Sequence, residues 1–578
     1  MAKSVQSPAD DAAPVEYAAQ VAIIGSGPVG MTLALDLAGR GVEVLLVEKR
    51  AETDPPAGRC NHISARSLEI FRRLGLAAEI RQAGLAADYP HDVAYVTAMT
   101  GHELTRIRIP SRADRFSDGD YADSGWPTTE PPHRCNQIYF DPILRRHVRE
   151  HPGITTLYDT EILAVSEGED HALAVGRTLT DKREVAIRCD YIVGCDGGSS
   201  LVRKAIGASL QGDGLISQTR SVMVRAPDLR DRMRVDPAWM TWFVGNPIFG
   251  CLIALNGTDL WTFLLWLPEG VEDFEQLDPH QAIRQAFGAE LDFSILTIDD
   301  WYGRRMVADR FRKGRMLICG DAAHIWIPFA GYGMNAGIAD AATLAWQLAA
   351  VVNGWGDPAL LDAYEAERQP VTEQVSNQAM SLALSNLDMD LAARQGDALL
   401  DEGPAGAAAR RRTGDMLYRA NLGQFACLGL NFGTYYQNSP VIAHEAEPAP
   451  TYDLETYTPS TVPGCRTPHF WLDAETSLYD RLGDGYTLLR FDPSVDVTAL
   501  LEAAKARGVP LALLDIDVVE RPAGYTTALA LSRSDQHIAW RGNFVPDDPV
   551  ALVDKLRGVG AGQTEKAAIP EVAAASGR

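Results

Sequence analysis

The chain has 578 residues, of which 46% are hydrophobic and 22% are charged, and its formal net charge is -24 at pH 7. This length predicts two or three domains with sizeable cores, and the composition is that of a globular protein, which excludes a disordered or fibrous chain. Because binding to nucleic acid or to anionic lipid needs clustered Lys and Arg, the acidic balance argues against both partners and favours a small or neutral one.

The eight cysteines contain no CxxC pair. Their scatter fits reduced thiols in a cytosol better than a disulfide framework or a zinc site, so we expect no bound metal. The first residues have no apolar core behind basic residues, and no later run approaches the roughly 18 apolar residues that span a bilayer. We therefore expect a soluble, cytoplasmic protein that does not enter a membrane.

The first predicted elements form a β-α-β unit. Residues 1–15 are polar and contain proline, which predicts a flexible N-terminus. Residues 21–24 are an apolar run, residues 31–38 have a helical pattern that Gly41 ends, and residues 44–47 are a second apolar run.

Two further apolar strands lie far apart in the chain. Residues 191–197 (YIVGCDG) run into SSLVRKAIG, and residues 315–324 (RMLICGDAAH) run into an Ala-rich helical stretch that ends near Asn353. Between them, residues 213–301 alternate apolar and polar positions with many aromatics, which predicts an antiparallel sheet. The nucleotide fold is therefore predicted to be interrupted.

The last part of the chain has its own pattern. A small α/β domain over residues 448–558 is predicted by TLLRF, the helix-like VTALLEAAKARG, PLALLDI, TTALALS and HIAWRG. We expect a helical connector over residues 386–447 before it and a flexible tail over residues 559–578 after it.

A Gly-x-Gly-x-x-Gly motif opens the first unit. Gly25 follows the first strand, Gly27 permits close approach to a pyrophosphate, and Gly30 allows the helix to pack tightly. Glu48 ends the next strand, where its carboxylate can accept both ribose hydroxyl protons. The pattern favours FAD or NAD without choosing between them, and the alternative is a glycine-rich turn that packs a helix on a strand.

Two more motifs make that choice. GCDGGSSLVR (194–203) and GDAAHIWIPFAGYGMNAGIADA (320–341), in this order after the first motif, resemble the single-component FAD-dependent aromatic hydroxylases of the para-hydroxybenzoate hydroxylase type. The resemblance covers residues 20–385. GCRTPHFWLDAETSLYDRLGDGYTLL and LSRSDQHIAWRG resemble the thioredoxin-like C-terminal extension of the phenol hydroxylase branch.

The resemblance implies an α/β architecture in three parts. A Rossmann-like FAD-binding domain is expected from residues 16–95, 130–205 and 300–385. An inserted antiparallel β-sheet domain for the substrate is expected from residues 96–129 and 206–299. The C-terminal α/β domain over residues 448–558 is expected to be thioredoxin-like. Its aromatic and Arg residues are of the kind enriched at interfaces and predict a homodimer, and the alternative is that they fill the domain's own core and its contact with the FAD-binding domain; they lie in TPHFWL, SLYDRLG and HIAWRG.

The resemblance also implies cofactor contacts at strand ends and helix starts, namely at Arg59, Gln137, Asp196, Asp321, Pro328, Gly333, Met334 and Asn335. In the family these positions lie near the FAD phosphates, the ribitol chain and the pyrimidine edge of the flavin. The alternatives are that Asp196 and Asp321 are helix N-caps, that Arg59 is a surface arginine and that Gln137 is a strand-end glutamine.

The implied reaction is hydroxylation of a phenolic or polycyclic aromatic substrate by O2, through a flavin C4a-hydroperoxide. The cofactor would be noncovalent FAD, with NADPH or NADH as a transient co-substrate. Because phenolate is a far stronger carbon nucleophile than phenol, a nearby base would accelerate the step. His62 is the candidate base, and the alternative is that it is structural or contacts FAD. The aromatic residues of 239–266 would line an apolar pocket or fill a sheet core.

Two other functions share the nucleotide motifs. A flavin-dependent halogenase typically shows Trp-x-Trp-x-Ile-Pro, whereas LWTFLLWLP has a different spacing. A noncatalytic FAD-containing binding protein would need no oxygen chemistry. Halide-independent, substrate-stimulated oxidation of NAD(P)H with a hydroxylated product would distinguish the hydroxylase from both.

Overall fold

The computed structural model describes residues 14–117, 119–245, 248–267, 273–326, 331–393 and 396–561, without the side chains of residues 382–397. The described residues form twenty strands, which are β1 (Val15–Ile24), β2 (Val44–Val47), β3 (Val93–Val96), β4 (Glu103–Ile107), β5 (Ile154–Leu157), β6 (Thr160–Glu167), β7 (Ala172–Thr178), β8 (Glu184–Gly194), β9 (Leu210–Arg225), β10 (Met240–Phe243), β11 (Gly250–Ala254), β12 (Leu260–Trp266), β13 (Ser294–Ala308), β14 (Arg312–Lys313), β15 (Met316–Ile318), β16 (His324–Ile325), β17 (Tyr486–Arg490), β18 (Leu511–Asp515), β19 (Leu529–Arg533) and β20 (Ile538–Gly542).

The same residues form fourteen α-helices, which are α1 (Pro28–Gly39), α2 (Ala65–Arg73), α3 (Ala77–Gln82), α4 (Gln137–Glu150), α5 (Leu201–Ala205), α6 (Leu229–Arg232), α7 (Pro279–Phe287), α8 (Gly333–Val352), α9 (Asp362–Ala393), α10 (Gly396–Leu400), α11 (Pro404–Phe425), α12 (Leu428–Phe432), α13 (Thr498–Ala506) and α14 (Pro549–Leu556). Within the part of the chain that the structure describes, none of these helices is both long and apolar enough to cross a membrane.

The first sheet is largely parallel, in the order β14-β15-β8-β1-β2-β5, with β6 and β7 attached beside β8. The predicted β-α-β unit is confirmed, because β1 pairs with β2 in parallel across the connecting helix α1. Strands buried on both faces are apolar throughout, and residues 21–24 and 44–47 are all buried. Helices α1, α4 and α8 contribute to the same core.

The first strand begins earlier than the apolar run alone indicates. It starts at Val15, where the chain already pairs with Val185 of β8. The predicted flexible N-terminus of residues 1–15 therefore overlaps the strand by one residue. The additional residues of β1 pair with β8 through their backbone. Their side chains are half-exposed and both polar and apolar, so the hydrophobic pattern of this segment does not predict a strand.

The second sheet has the order β16-β13-β9-β12-β11-β10-β3-β4. Its pairs are antiparallel, as predicted, apart from the parallel pair of β10 with β3. Strand β3 crosses the predicted domain boundary at residues 95/96, and β13 crosses the one at residues 299/300. Apolar pattern predicts a strand but not which of two sheets accepts its backbone hydrogen bonds.

One face of the second sheet looks towards the nucleotide fold. Met223 pairs with Thr262 across β9 and β12, so both side chains share a face, and Trp266 lies on the same face of β12. A Cβ on Gly58 would lie 2.7 Å from the Met223 methyl carbon, which shows how closely the two layers meet. The core of this sheet includes Ile283 and Phe287 of α7.

The third sheet has the order β18-β17-β19-β20, and its strands and helix α13 lie where the C-terminal pattern predicts them. Leu488, Leu531 and Val553 form a core that continues into Trp346 of α8 and Leu360. This domain is therefore packed against the nucleotide fold. Its assignment as thioredoxin-like stays a prediction.

Candidate active site

Four strand ends of the first sheet meet at one edge. Ile24 is level with Val47 of β2 and with Gly194 of β8, and Gly194 is level with Ile318 of β15. The residues that follow these parallel strands therefore share the carboxyl edge of the sheet, which is where open α/β sheets bind ligands. The predicted positions Gly25, Glu48, Asp196 and Asp321 all lie at this edge.

Two of the motif glycines allow backbone segments to approach. Gly25 has φ of 107°, and a Cβ there would lie 2.3 Å from the carbonyl oxygen of Cys195. A Cβ on Gly30 would lie 2.0 Å from the carbonyl oxygen of Gly25. At Gly27, the N-cap of α1, a Cβ would meet nothing within 4 Å, and no side chain caps the helix. The start of α1 is therefore open to an anion.

Glu48 is held in place by the loops on either side of it. Its Oε2 accepts from the backbone N–H of Ser26 at 2.9 Å, and its Oε1 accepts from the backbone N–H and the Nε of Arg50 at 3.0 and 3.2 Å. A carboxylate offers about four acceptor positions. The fixed carboxylate thus keeps acceptor capacity at the sheet edge.

Asp196 binds the start of α5 without being its N-cap, which is Ser200. Its Oδ2 accepts from the backbone N–H groups of Leu201 and Val202 at 2.6 and 3.3 Å. Its Oδ1 is buried and has no hydrogen-bond partner among the described residues. One oxygen is therefore committed to the fold.

Asp321 differs from Asp196. Its side chain is exposed, and its carboxylate forms no hydrogen bond with the described residues. It lies between strand ends where the surrounding protein raises its pKa, while His324 and Arg59 lower it. Arg59 is exposed and likewise has no hydrogen-bond partner in the described chain. Two opposite charges thus stand near each other at the sheet edge, each available to a ligand.

Gln137 begins α4 and lies inside the protein. Its Nε2 donates to Oδ2 of Asp141 at 2.9 Å, and its backbone N–H donates to the carbonyl of Cys60 at 2.8 Å. Burial raises the pKa of Asp141 to about 7. Gln137 therefore joins α4 to the segment that carries Arg59, and only its amide oxygen is left for another partner.

Helix α8 begins with free backbone donors. Gly333 is its first residue, and Tyr332 at the N-cap makes no side-chain cap. The first α-helical bond at this end runs from Ala336 N–H to the carbonyl of Tyr332, so the N–H groups of Gly333 and Met334 have no intrahelical acceptor. The positive end of the helix dipole points at the same place. Pro328 lies outside the described residues.

The side chain of Asn335 is used entirely within the protein. Its Oδ1 accepts from the Ser64 N–H at 2.9 Å and the Ser67 hydroxyl at 2.7 Å, and its Nδ2 donates to the carbonyls of His62 at 3.1 Å and Gly331 at 2.7 Å. All four hydrogen-bonding positions of the amide are filled. Asn335 therefore ties the His62 segment to α8, which leaves its backbone N–H as the group available to a cofactor.

His62 is buried against a cation. Its Nδ1 contacts Nη1 of Arg134, and Arg134, Arg115 and His133 all oppose a positive charge on the ring. Burial, followed by Arg134, holds the pKa of His62 well below its usual range. Because a guanidinium only donates, we assign Nδ1 as the acceptor and Nε2 as the protonated nitrogen. This arrangement argues against the predicted role of His62 as a general base.

Arg134 and Tyr95 were not predicted as site residues. The Arg134 guanidinium lies 4.5 Å from the ring centre of Trp239, which precedes β10. Tyr95, whose register with Trp242 places it on the sheet face that looks towards the nucleotide fold, has a buried hydroxyl without a partner among the described residues. Arg134 stands three residues before Gln137, so the same motif could have drawn attention to it.

The aromatic wall of the second sheet lies on this face. Trp242 is stacked on Trp266 with ring centres 5.4 Å apart, and Phe249 lies 5.2 Å from Trp266. The hydroxyl of Thr262, beside them, is also buried without a partner in the described chain. The wall is therefore mainly apolar with a few unpaired hydroxyls.

Comparison with known proteins matches residues 18–379 to the family described as FAD binding domain. The chain belongs to this family. It is 30% identical to the FAD-dependent monooxygenase apdD of Emericella nidulans over 91% of this chain and 88% of that protein. It is 27% identical to phenol 2-monooxygenase of a Pseudomonas species, over 93% of this chain and 92% of that one.

A solved structure gives the same result. The rebeccamycin biosynthetic enzyme RebC with reduced flavin is 34% identical, with a TM-score of 0.84 over 94% of this chain and 100% of that one. This family member is therefore an FAD-dependent monooxygenase, and the alternative of a flavin-dependent halogenase is not favoured. The predicted fold class, with a Rossmann-like FAD-binding part and an inserted sheet, is confirmed.

The carboxyl edge suits FAD chemically. The glycine turn offers an open helix start for phosphate, Glu48 offers acceptors, and Asp321 offers an unpaired carboxylate for hydroxyl groups. The uncapped start of α8 offers backbone donors to a group that carries negative charge.

Proposed function

We propose that this FAD-dependent monooxygenase hydroxylates a phenolic or polycyclic aromatic substrate with O2 and NAD(P)H. The observation that carries the proposal is the aromatic wall of Trp242, Phe249 and Trp266, on a sheet face that meets the nucleotide fold at Met223 and Gly58. A flat aromatic molecule gains from offset or edge contacts with such rings. The relative named phenol 2-monooxygenase supports a phenolic substrate.

The proposed cofactor contacts follow the sheet edge. The turn of Gly25, Gly27 and Gly30 would hold the pyrophosphate, with Arg59 beside it, and Glu48 would accept the ribose hydroxyl protons. Asp321 would accept the ribitol hydroxyl protons, and the start of α8 at Gly333, Met334 and Asn335 would face the flavin pyrimidine through backbone N–H groups. Bound FAD supplies the electron transfer from NAD(P)H to O2 that the hydroxylation requires.

The surrounding protein has two further tasks. The apolar wall excludes water from the space beside the flavin, which strengthens every hydrogen bond made there. The unpaired hydroxyls of Tyr95 and Thr262 are placed to bind polar groups of the substrate, because a buried hydroxyl without a partner costs free energy until one is found.

The test is a screen of phenols and hydroxylated polycyclic aromatics with the FAD-loaded protein. We expect at least one compound to accelerate NADPH or NADH oxidation without halide and to gain one oxygen atom from isotopically labelled O2. If no compound stimulates NAD(P)H oxidation and no labelled product forms, the protein is a noncatalytic FAD-binding protein instead. A product that forms only in the presence of halide would support a flavin-dependent halogenase instead.

We also propose a homodimer in the cytoplasm. All eight cysteines are free, which is in keeping with a reducing compartment. The C-terminal domain exposes Trp471 and Phe544, two large apolar side chains of the kind enriched at interfaces. Light scattering after gel filtration measures the mass, and Trp471→Ser with Phe544→Ser should shift it from dimer to monomer. A wild-type monomer at micromolar concentration would refute the dimer.

A further inference from the structure

Arg134 is a buried cation without a carboxylate partner. The residue is 3% exposed, and it forms no ion pair with any acid in the described ranges. Burial lowers the pKa of Arg134 to about 10. A buried charge is ordinarily paired, because removing an ion from water costs several kcal/mol. The charge of Asp123 offsets part of this cost, but no described acid bonds the Arg134 guanidinium directly.

Asp123, the carboxylate whose charge acts on Arg134, is already engaged. Its Oδ2 accepts from both Nη1 and Nη2 of Arg115 at 3.1 Å, and its Oδ1 accepts from the indole N–H of Trp126. Arg115 and Arg134 are both buried, yet only Arg115 has a partner of opposite charge.

A second buried side chain near Arg134, His91, also lacks a hydrogen-bond partner among the described residues. Both ring nitrogens of the buried His91 are without a partner among the described residues, although a neutral imidazole always carries one N–H. His91 lies beside His133, with ring centres 5.9 Å apart, and the charge of Arg134 reaches it. This second, independent observation points to a missing acceptor in the same cluster.

The position of Arg134 suits a substrate contact. Its guanidinium touches His62, whose segment is tied to the start of α8 by Asn335, and it stacks on Trp239 at the edge of the second sheet. The unpaired charge thus lies between the His62 segment, which is joined to the start of α8, and Trp239 of the second sheet. His62 and Trp239 fix the plane of the guanidinium, and Nη2 makes no hydrogen bond with the described residues.

We propose that Arg134 binds a negatively charged oxygen of the aromatic substrate, either a phenolate or a ring carboxylate, with His62 and Trp239 as its positioning residues. This inference rests on the proposed function. For a phenol, the contact favours the ionised form, which is the stronger carbon nucleophile, so the substrate is activated by a fixed cation rather than by a proton-accepting histidine.

The test measures binding to the FAD-loaded protein without NAD(P)H. The probes are 4-nitrophenol, 4-nitrobenzoate and the neutral ether 4-nitroanisole. We expect one of the two anions to raise the Tm of the wild-type protein more than 4-nitroanisole does, and the anion that acts identifies phenolate or carboxylate as the recognised group. For 4-nitrophenol, the yellow absorbance of its ionised form should appear at lower pH in the complex than in buffer.

The variant is Arg134→Met, and its matched control is Arg115→Met. Arg134→Met should weaken binding of the recognised anion at least about tenfold, the size of a lost charge-assisted hydrogen bond, and leave 4-nitroanisole unaffected. It should keep its Tm close to that of wild type, whereas Arg115→Met leaves Asp123 unpaired and should lower the Tm sharply.

Two results would overturn the proposal. One is a wild-type protein that neither anion stabilises more than the ether does. The other is an equal fall in Tm for both arginine variants, which would show that Arg134 has a structural counter-charge. No step of the test uses O2 or NAD(P)H. If the protein binds the anions but hydroxylates none of them, the proposed function is wrong and the proposed anion site at Arg134 still stands.

Discussion

At the scale of single residues, the active-site edge separates side chains that serve the fold from side chains left for a ligand. Asp196 and Asp321 both follow a strand of the same sheet, yet Asp196 accepts hydrogen bonds from the start of α5 while Asp321 makes no hydrogen bond with the described residues. Sequence alone treats the two as equivalent, since each is an acid beside glycine or alanine at a strand end. Their hydrogen bonds distinguish them.

Asp321→Ala should weaken FAD binding about 10-fold to 100-fold, because it removes charge-assisted hydrogen bonds worth about 1.5–3 kcal/mol. Titration of the apoprotein with FAD, followed by flavin fluorescence, measures the dissociation constant. Asp196→Ala is the matched control and should instead lower stability by about 1–3 kcal/mol, because the backbone N–H groups of Leu201 and Val202 lose their acceptor. Equal FAD affinity in Asp321→Ala and wild type would assign Asp321 to the fold.

At the scale of elements, the glycine turn between β1 and α1 shows two different reasons for the same residue type. Gly25 is required by its own backbone, because its φ is positive and a Cβ would overlap the carbonyl of Cys195. Gly27 has open space around it in the protein itself. The open space at Gly27 is therefore the space in which the bound ligand would lie.

Gly25→Ala and Gly27→Ala should separate these two reasons. Gly25→Ala should destabilise the protein by more than about 1 kcal/mol, because the strained φ and the clash with Cys195 act together. Gly27→Ala should leave the denaturation midpoint of the apoprotein near that of wild type and still weaken FAD binding. Urea denaturation of the apoproteins and FAD titration measure the two effects. A large loss of stability in Gly27→Ala would contradict this division.

At the scale of the whole molecule, buried ion pairs fasten the C-terminal domain to the nucleotide fold. Arg533 of β19 donates to both carboxylate oxygens of Glu367 on α9, at 2.5 and 2.9 Å, and also binds Asp535. Arg466 pairs with Glu69 of α2, which follows directly on the His62 segment. Two arginines of the last domain, Arg466 and Arg533, are thus used within the chain.

Arg533→Met should lower the free energy of unfolding by about 3–5 kcal/mol, because it leaves Glu367 and Asp535 buried without their cation. Urea denaturation followed by tryptophan fluorescence and by flavin release should show both signals shifting together, since the domains share this contact. Arg490→Met removes an ion pair with Asp515 on the surface of the same domain and should leave the midpoint close to that of wild type. Similar losses in the two variants would contradict a special role for the buried network.

Buried histidines should make stability depend on pH between about 6.5 and 4. Burial lowers the pKa of His133 to about 3 and of His537 to about 4, so both stay neutral in the fold. Unfolded histidines bind protons below about pH 6.5, so acid favours the unfolded state by about 1.4 kcal/mol per pH unit for each of them. Urea denaturation at pH 7.5, 6.5 and 5.5 should show this loss, and His133→Gln should reduce its slope. Because the raised pKa of Asp141 acts in the opposite direction, the decisive comparison is between variants, and an equal slope in His133→Gln and wild type would refute the prediction.

The sequence by itself determined much of the architecture. Apolar runs that are buried on both faces predicted the central strands of the FAD-binding part, and the glycine motif with the two later motifs predicted its family. The alternation in residues 213–301 predicted the antiparallel sheet, and the C-terminal pattern predicted where strands β17 to β20 lie. These features could be predicted because buried apolar residues recur at fixed intervals within a single helix or strand. Each such segment can therefore be recognised from its own sequence.

Only the tertiary structure decided which side chains are free. Asn335 spends most of its amide on the distant segment of residues 62–67, His62 meets Arg134 from a separate segment, and β3 crosses into the second sheet. Hydrogen bonds and ion pairs between segments far apart in the chain leave no periodic trace in either segment. The unpaired charge of Arg134 therefore becomes visible only when all of its neighbours are in place.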